Sequence, residues 1–196
     1  QEIDPPSVKK MDGKDVYQIS SLEDLRWIAE NESSWGGSFI QTEDINASET
    51  ETWPDGGWKP IGNNNAKFTG SYDGGGHTIN DLYINRPDTR YQGMFGYISG
   101  GNVSNLFIRN VDFTGSLYTG GLAGYVDNAA IFYRIGTTGR IGNSSRTGGL
   151  VGTCKNSNIT ECYSSINILG NSPRVGGLLA DSSANTIKDC YSLGDV

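Results

Sequence analysis

Histidine is all but missing from this chain of 196 residues: His77 is the single one. A zinc centre draws three or four ligands from His, Cys and carboxylates, so a His-based site has nothing to build on. Cysteine is scarce too. Cys154, Cys162 and Cys190 neither pair evenly nor show a Cys-x-x-Cys spacing, which argues against both a disulfide-dense scaffold and a zinc ribbon. Positive charge is in the minority, 15 Lys+Arg against 22 Asp+Glu for a net charge of −7, and that argues against nucleic acid or an anionic membrane surface as partner. No apolar run approaches the 18 or so residues of a membrane-spanning helix, so no membrane insertion is expected. No basic segment followed by an apolar one opens the chain, and a leader is expected to have been removed. The polar stretch from Gln1 to Lys10, with Pro5-Pro6, reads as a mature N-terminus or a tether.

What the chain has in quantity is glycine, 28 of them, and it has them in phase. Gly121-Leu122-Ala123-Gly124, Gly149-Leu150-Val151-Gly152 and Gly177-Leu178-Leu179-Ala180 recur every 28 residues, and Gly93-Met94-Phe95-Gly96 sits one step earlier. Other columns keep that step: Val103, Ile131, Ile159 and Ile187; Phe113, Ile141 and Leu169; Cys162-Tyr163-Ser164 and Cys190-Tyr191-Ser192. Helical repeats run longer and use Ala, Leu, Glu and Lys, whereas these units are rich in Gly, Asn, Ser, Thr and β-branched residues. The expectation is an all-β solenoid of about 28 residues per coil, each coil about three short strands paired with the same strands of the next, with identical positions stacked about 4.8 Å apart. The motif glycines are read as tight corners or positive-φ positions. On this reading the interior ladders cannot be buried by one coil alone.

Residues 1–14 are expected to be an N-terminal tail, 15–67 a cap, and 68–196 the solenoid. All four tryptophans lie in the first 60 residues. Tyr17-Gln18-Ile19 reads as a strand; Ser20-x-x-Glu23 has capping-box spacing; Leu22, Leu25 and Ile28 predict a short amphipathic helix to about Glu30. Such a cap would shield the backbone that a solenoid leaves unpaired at its first coil. Gly74-Gly75-Gly76 reads as a corner, with regular coils from about Tyr91.

Ile19-Ser-Ser-Leu-Glu-Asp-Leu25, Phe68-Thr-Gly-Ser-Tyr-Asp-Gly-Gly-Gly-His-Thr-Ile79 and the Gly-Gly-Leu-Val-Gly units together resemble the GLUG-motif family of bacterial surface proteins. The resemblance spans most of the chain and implies a right-handed parallel β-helix. Its motif occurs in adhesin-like proteins and in non-catalytic parts of secreted immunoglobulin A peptidases, and it carries no catalytic residues across. Gln92 and Ala180 depart from it, standing where the first glycine of one unit and the last of another are expected.

Chemistry is hard to find. His77 follows Asp73 across three glycines, a spacing read as a corner, not a dyad. No HExxH motif occurs. Asn105, Tyr133, Glu161 and Asp189 are expected to form a polar column, with Asp112 beside Arg140 and Ile168; two stacked carboxylates, Glu161 and Asp189, are few for calcium, and a solvated face is favoured. Cys162 and Cys190, one coil apart, are read as stacked buried thiols, with a disulfide as the alternative. Tyr91, Tyr97, Tyr118, Tyr125, Tyr133, Tyr163 and Tyr191 are the candidates for glycan contact. Of these, Tyr163 and Tyr191 are assigned with Phe107 and Ile135 to a packing ladder. Arg146 and Arg174, aligned with Tyr118, read as solvated or as contacts for an anionic partner.

No catalytic residue, metal site or cofactor is expected. The chain reads as a non-enzymatic, adhesin-like module, secreted or on a bacterial cell surface, that presents a solenoid face to a host glycan or extracellular protein. The alternative is an accessory region of a secreted peptidase or polysaccharide-active enzyme. The repeat stops in mid-unit at Ser192–Val196, so further coils are expected beyond it; the molecule is expected to be a monomer or to meet others end to end through that coil.

Overall fold

A computed structural model describes residues 3–142, 145–171 and 173–196, so Gln1 and Glu2 of the expected tether lie outside the described residues. The chain is a parallel β-solenoid whose regular coils turn through three faces. A long face is built from Asn102–Thr114, Ile131–Gly142, Asn158–Thr160 with Tyr163–Leu169, and Thr186–Lys188 with Tyr191–Ser192. A second face stacks Phe95–Ser99, Ala123–Asp127, Val151–Lys155 and Leu179–Ser183. A short face stacks Thr119–Gly120, Arg146–Gly148 and Arg174–Gly176. Every regular pairing between coils is parallel, as stacking like positions requires.

The N-terminal region closes one end. Lys14–Ile19 pairs in parallel with Ser38–Gln41 on its inner side and antiparallel with Val8–Met11 on its outer side. The outermost strand carries Lys9 and Lys10, charges that discourage further pairing at a sheet edge. The helix spans Leu22–Glu30 and buries Leu25, Ile28 and Ala29. Its capping box lies one residue beyond the predicted one. Ser21 Oγ accepts from the Asp24 N–H, and Asp24 Oδ2 accepts from both Ser20 N and Ser21 N, a reach for which Glu23 is one position short. Trp35 and Trp58 are buried, and each indole N–H donates to a carbonyl, Ile28 O at 2.7 Å and Met94 O at 3.0 Å, so neither large ring leaves an orphan donor.

Register corrects the columns read at a constant step. On the second face Ile98, Val126, Cys154 and Ser182 are each 28 apart. On the long face the register column is Val103, Phe132, Ile159, Ile187, with steps of 29, 27 and 28; its first three members are buried, and Ile187 is exposed in the last coil. Ile131 is therefore not in the ladder; it is 46% exposed while Phe132 is wholly buried. At the far end of that face the column is Phe113, Ile141, Ile168, and Leu169 turns outward. Each coil keeps its length but spends one residue at a different place, as a bulge at Arg109-Asn110 in one coil and a longer corner at Asn128-Ala129 in the next. Asn110, Asn128 and Ala129 all have φ near +60°, the left-handed geometry that absorbs an added residue.

The same offset re-sorts the polar column to Asn105, Arg134, Glu161 and Asp189. Those four share φ of 50 to 54°, marking the bend within the long face. Arg134 Nε stands 3.8 Å from Glu161 and takes the place read for Tyr133. Likewise Asp112 and Arg140 align with Asn167, not Ile168. Gln92 bridges to Thr119, so it heads an inward column with Thr119 and Thr147 and does not replace a motif glycine. The motif glycines answer to close approach more than to φ. A Cβ on Gly152 would meet Gly124 O at 2.6 Å and Thr119 N at 2.8 Å, so the coils could not stack.

Cys154, Cys162 and Cys190 are free thiols. Burial pushes the Cys154 and Cys162 thiols up to about 12, which keeps both protonated at neutral pH. Cys190 sits in the last described coil and is less covered. Alkylation at neutral pH is expected to mark Cys190 in the folded protein and to reach Cys154 and Cys162 only after unfolding. Because both folded values lie above the unfolded thiol range, their contribution to stability is present below about pH 8.5 and fades as pH rises toward 12. The register predicts a sharp contrast between neighbours: Phe132→Ala should cost about 3–5 kcal/mol of unfolding free energy and Ile131→Ala no more than about 0.5 kcal/mol. Equal losses in urea titration would refute the register.

Candidate functional site

Where the short face turns into the second face, three outward columns run along the solenoid axis. The first is Tyr91, Tyr118, Arg146, Arg174. The second is Tyr97, Tyr125, Thr153, Asp181. The third carries Ser99, Asp127, Lys155 and Ser183. Sequence spacing put Arg146 and Arg174 in line with Tyr118, and the structure agrees. It also brings Tyr91, Tyr97, Tyr118 and Tyr125 into one cluster.

Tyr91 stacks on Tyr118 at 5.0 Å and on Tyr97 at 5.6 Å between ring centroids. Tyr125 meets Tyr97 at 4.7 Å and turns its edge to Tyr91 and Tyr118. Such offset and edge-to-face contacts hold the four rings in place, each pair worth about 0.5–1.5 kcal/mol beyond simple burial. Tyr91 and Tyr118 both have positive φ, 62° and 65°. A left-handed aromatic residue carries a strain of about 1–2 kcal/mol, and two in one column mark a place where ring position is held against local preference.

Cations surround the rings. Lys67 lies over Tyr97 at 5.2 Å, Arg146 over Tyr118 at 5.1 Å, and Lys155 over Tyr125 at 5.6 Å. Arg146 Nη1 also donates to the Tyr118 hydroxyl at 3.0 Å. The Tyr97 hydroxyl donates to Asp127 Oδ2 at 2.7 Å. Burial raises the Tyr97 phenol above its ordinary value, and the bond to Asp127 raises it further; burial also raises Tyr91. Asp181 Oδ2 is shared by Arg174 at 3.2 Å and Arg146 at 3.4 Å.

The remaining candidates lie apart. Tyr133 is on the long face, exposed and outside the cluster. Tyr163 and Tyr191 stack at 5.4 Å as an outer pair, and their column is Phe107, Gly136, Tyr163, Tyr191. Gly136, not Ile135, occupies that column, because the Tyr163 ring leans across the space its Cβ would fill. Ile135 instead faces the interior. His77 Nδ1 is 3.3 Å from Asp44 Oδ1, while Asp73 Oδ1 accepts from Gly75 N and Asn105 Nδ2. Asp44 is held below its ordinary value, first by the Thr78 N–H and then by His77. A concavity lies elsewhere, an open groove of about 670 Å³ on the long face that contains Glu51, Asp81, Tyr83, Asp112, Arg140 and Asn167. Arg140 there pairs with Asp112 at 2.6 Å. Among the described residues no three His, Cys, Asp or Glu side chains are grouped to hold a metal ion, and no helix is long and apolar enough to cross a membrane.

Lys67, Asp127, Lys155 and Asp181 went unread in the sequence. Lys67 comes from outside the repeat. Asp127, Lys155 and Asp181 share columns with Ser, Thr or Tyr, so no recurring residue type flags them.

The raised Tyr97 phenol should be visible in titration: ultraviolet absorbance should show tyrosine ionising well above pH 10 in the folded protein, and Asp127→Asn should move the Tyr97 part of that curve down toward the ordinary value. An unchanged titration curve would mean that the Tyr97–Asp127 bond does not exist in solution.

Two curated proteins are similar to this chain. A segment of halomucin from Haloquadratum walsbyi is 39% identical over 137 residues, covering 66% of this chain and 2% of that protein. A putative Gly-rich membrane protein from Evansella cellulosilytica is 41% identical over 63 residues, covering 32% of this chain and 7% of its own length. The chain thus spans a small fraction of the curated relatives it matches. No family model matches it, and no solved structure does.

Proposed function

We propose that the chain is a non-catalytic, adhesin-like surface module that recognises carbohydrate through the platform of Tyr91, Tyr97, Tyr118 and Tyr125. The observation that carries this reading is the convergence of four half-buried tyrosines from two coils at one corner, two of them in left-handed conformation, outside the hydrophobic interior. The interior is complete without them: Leu122, Leu150, Val126 and Cys154 already fill the coils beneath. Rings with apolar bodies and hydroxyl tips suit a ligand that is itself part CH surface and part hydroxyl.

The relatives support the surface setting. One is named a membrane protein, and both are long chains in which a stretch like this is a small portion. The likeness to GLUG-type repeats points the same way, toward a secreted or cell-surface location. A solenoid serves such a role physically, since rigidity along the axis holds a recognition face away from its attachment point.

Binding of the purified chain to an immobilised glycan panel tests this. Saturable binding is expected, weakened about tenfold or more by Tyr91→Ala or Tyr125→Ala and unchanged by Tyr191→Ala. Silence across the panel, or equal effects at Tyr191, would remove the tyrosine platform as a glycan site.

A further inference from the structure

We infer that the tyrosine platform takes an acidic polysaccharide, a sugar chain bearing carboxylates or sulfate esters; this rests on the carbohydrate reading above and narrows its ligand class. The ring faces are largely spoken for. Tyr91 lies against Tyr118 and Tyr97, while Lys67, Arg146 and Lys155 cover Tyr97, Tyr118 and Tyr125. A neutral sugar would have to displace those cations to reach a ring. An acidic one meets them where they stand, because an ammonium or guanidinium that covers a ring with one side keeps further N–H donors for an anion.

The charge distribution points the same way. In a chain of net charge −7, four cations gather here, Lys67, Arg146, Lys155 and Arg174. Against them stand two carboxylates, Asp127 and Asp181, leaving the patch at about +2. Asp127 is engaged by the Tyr97 hydroxyl, and Asp181 lies between the two arginines. Arg146 and Arg174 repeat one coil apart, about 4.8 Å, so the cationic column runs along the axis and suits a polymer whose charges also repeat. The opposing field of the remaining acidic surface is screened beyond about 8 Å at physiological salt, which confines recognition to this patch. Asp181 then acts as a built-in competitor, an internal carboxylate occupying the arginines until a ligand's own acid replaces it.

Titrations with polygalacturonate for carboxylate, a carrageenan for sulfate ester, dextran as a neutral chain and single-stranded DNA as a different polyanion decide the matter. One or both acidic polysaccharides should bind, dextran far more weakly, and affinity should fall as salt rises. Arg146→Ala and Lys155→Ala should each weaken binding about five- to tenfold. Asp181→Asn should tighten it about threefold, a gain that a damaged fold cannot imitate. Dextran binding as well as the acidic chains, or no tightening with Asp181→Asn, would overturn the acidic class while leaving the carbohydrate site. Failure of every polysaccharide would remove both readings, and preferential binding of DNA would overturn the polysaccharide assignment.

Discussion

Everything in this chain depends on the parallel ladder between successive coils. Each backbone strand finds its partners in the coil before and the coil after, so positions that correspond must lie one strand spacing apart, and the interior is assembled as columns, not as a packed sphere. That demand explains the composition. A column of Ile98, Val126 and Cys154 can be buried with few apolar residues per coil, and the hydrophobic share of 35% suffices because it is concentrated in such columns. It also explains the motif glycines, which sit where the backbone of one coil passes so close to the next that a single Cβ would intrude.

The ladder treats the outside of the coil with the same rigour as the inside. Side chains that face solvent also stack at the strand spacing, so four tyrosines from two coils are forced together where in a less regular fold they would be dispersed. Cations beside them are held by the same geometry. The surface chemistry of the corner is therefore a by-product of the interior's regularity, and it alternates from aromatic to charged along the axis because Tyr91 and Tyr118 give way to Arg146 and Arg174 in a single column.

Much of this was legible in the residues. The repeat announced a solenoid, Leu22, Leu25 and Ile28 located the helix, and the Arg146–Arg174 alignment with Tyr118 was visible by counting. Counting failed wherever the added residue of a coil moved. Ile131 and Leu169 looked like core positions because the step of 28 lands on them, yet the bulge at Arg109-Asn110 and the corner at Asn128-Ala129 shift the long face by one. In a strand a shift of one reverses inside and outside, so a small counting error exchanged Ile131 for Phe132 and Tyr133 for Arg134. The platform's charged members were harder still. Nothing in the local sequence around Lys67 or Lys155 signals an aromatic partner, since that partnership arises only when the coils are wound.

The wandering extra residue has a consequence for how such a surface can change. Because coil length is restored before the next turn begins, a bulge on the long face leaves the second face at its constant step, and the registers of the two walls are independent. One wall can be redrawn in shape, with side chains swapped between inside and outside, while the tyrosine corner opposite keeps its register. A solenoid of this kind therefore keeps its stiffness along the axis while its walls run as parallel rails, each free to be edited without derailing its neighbours.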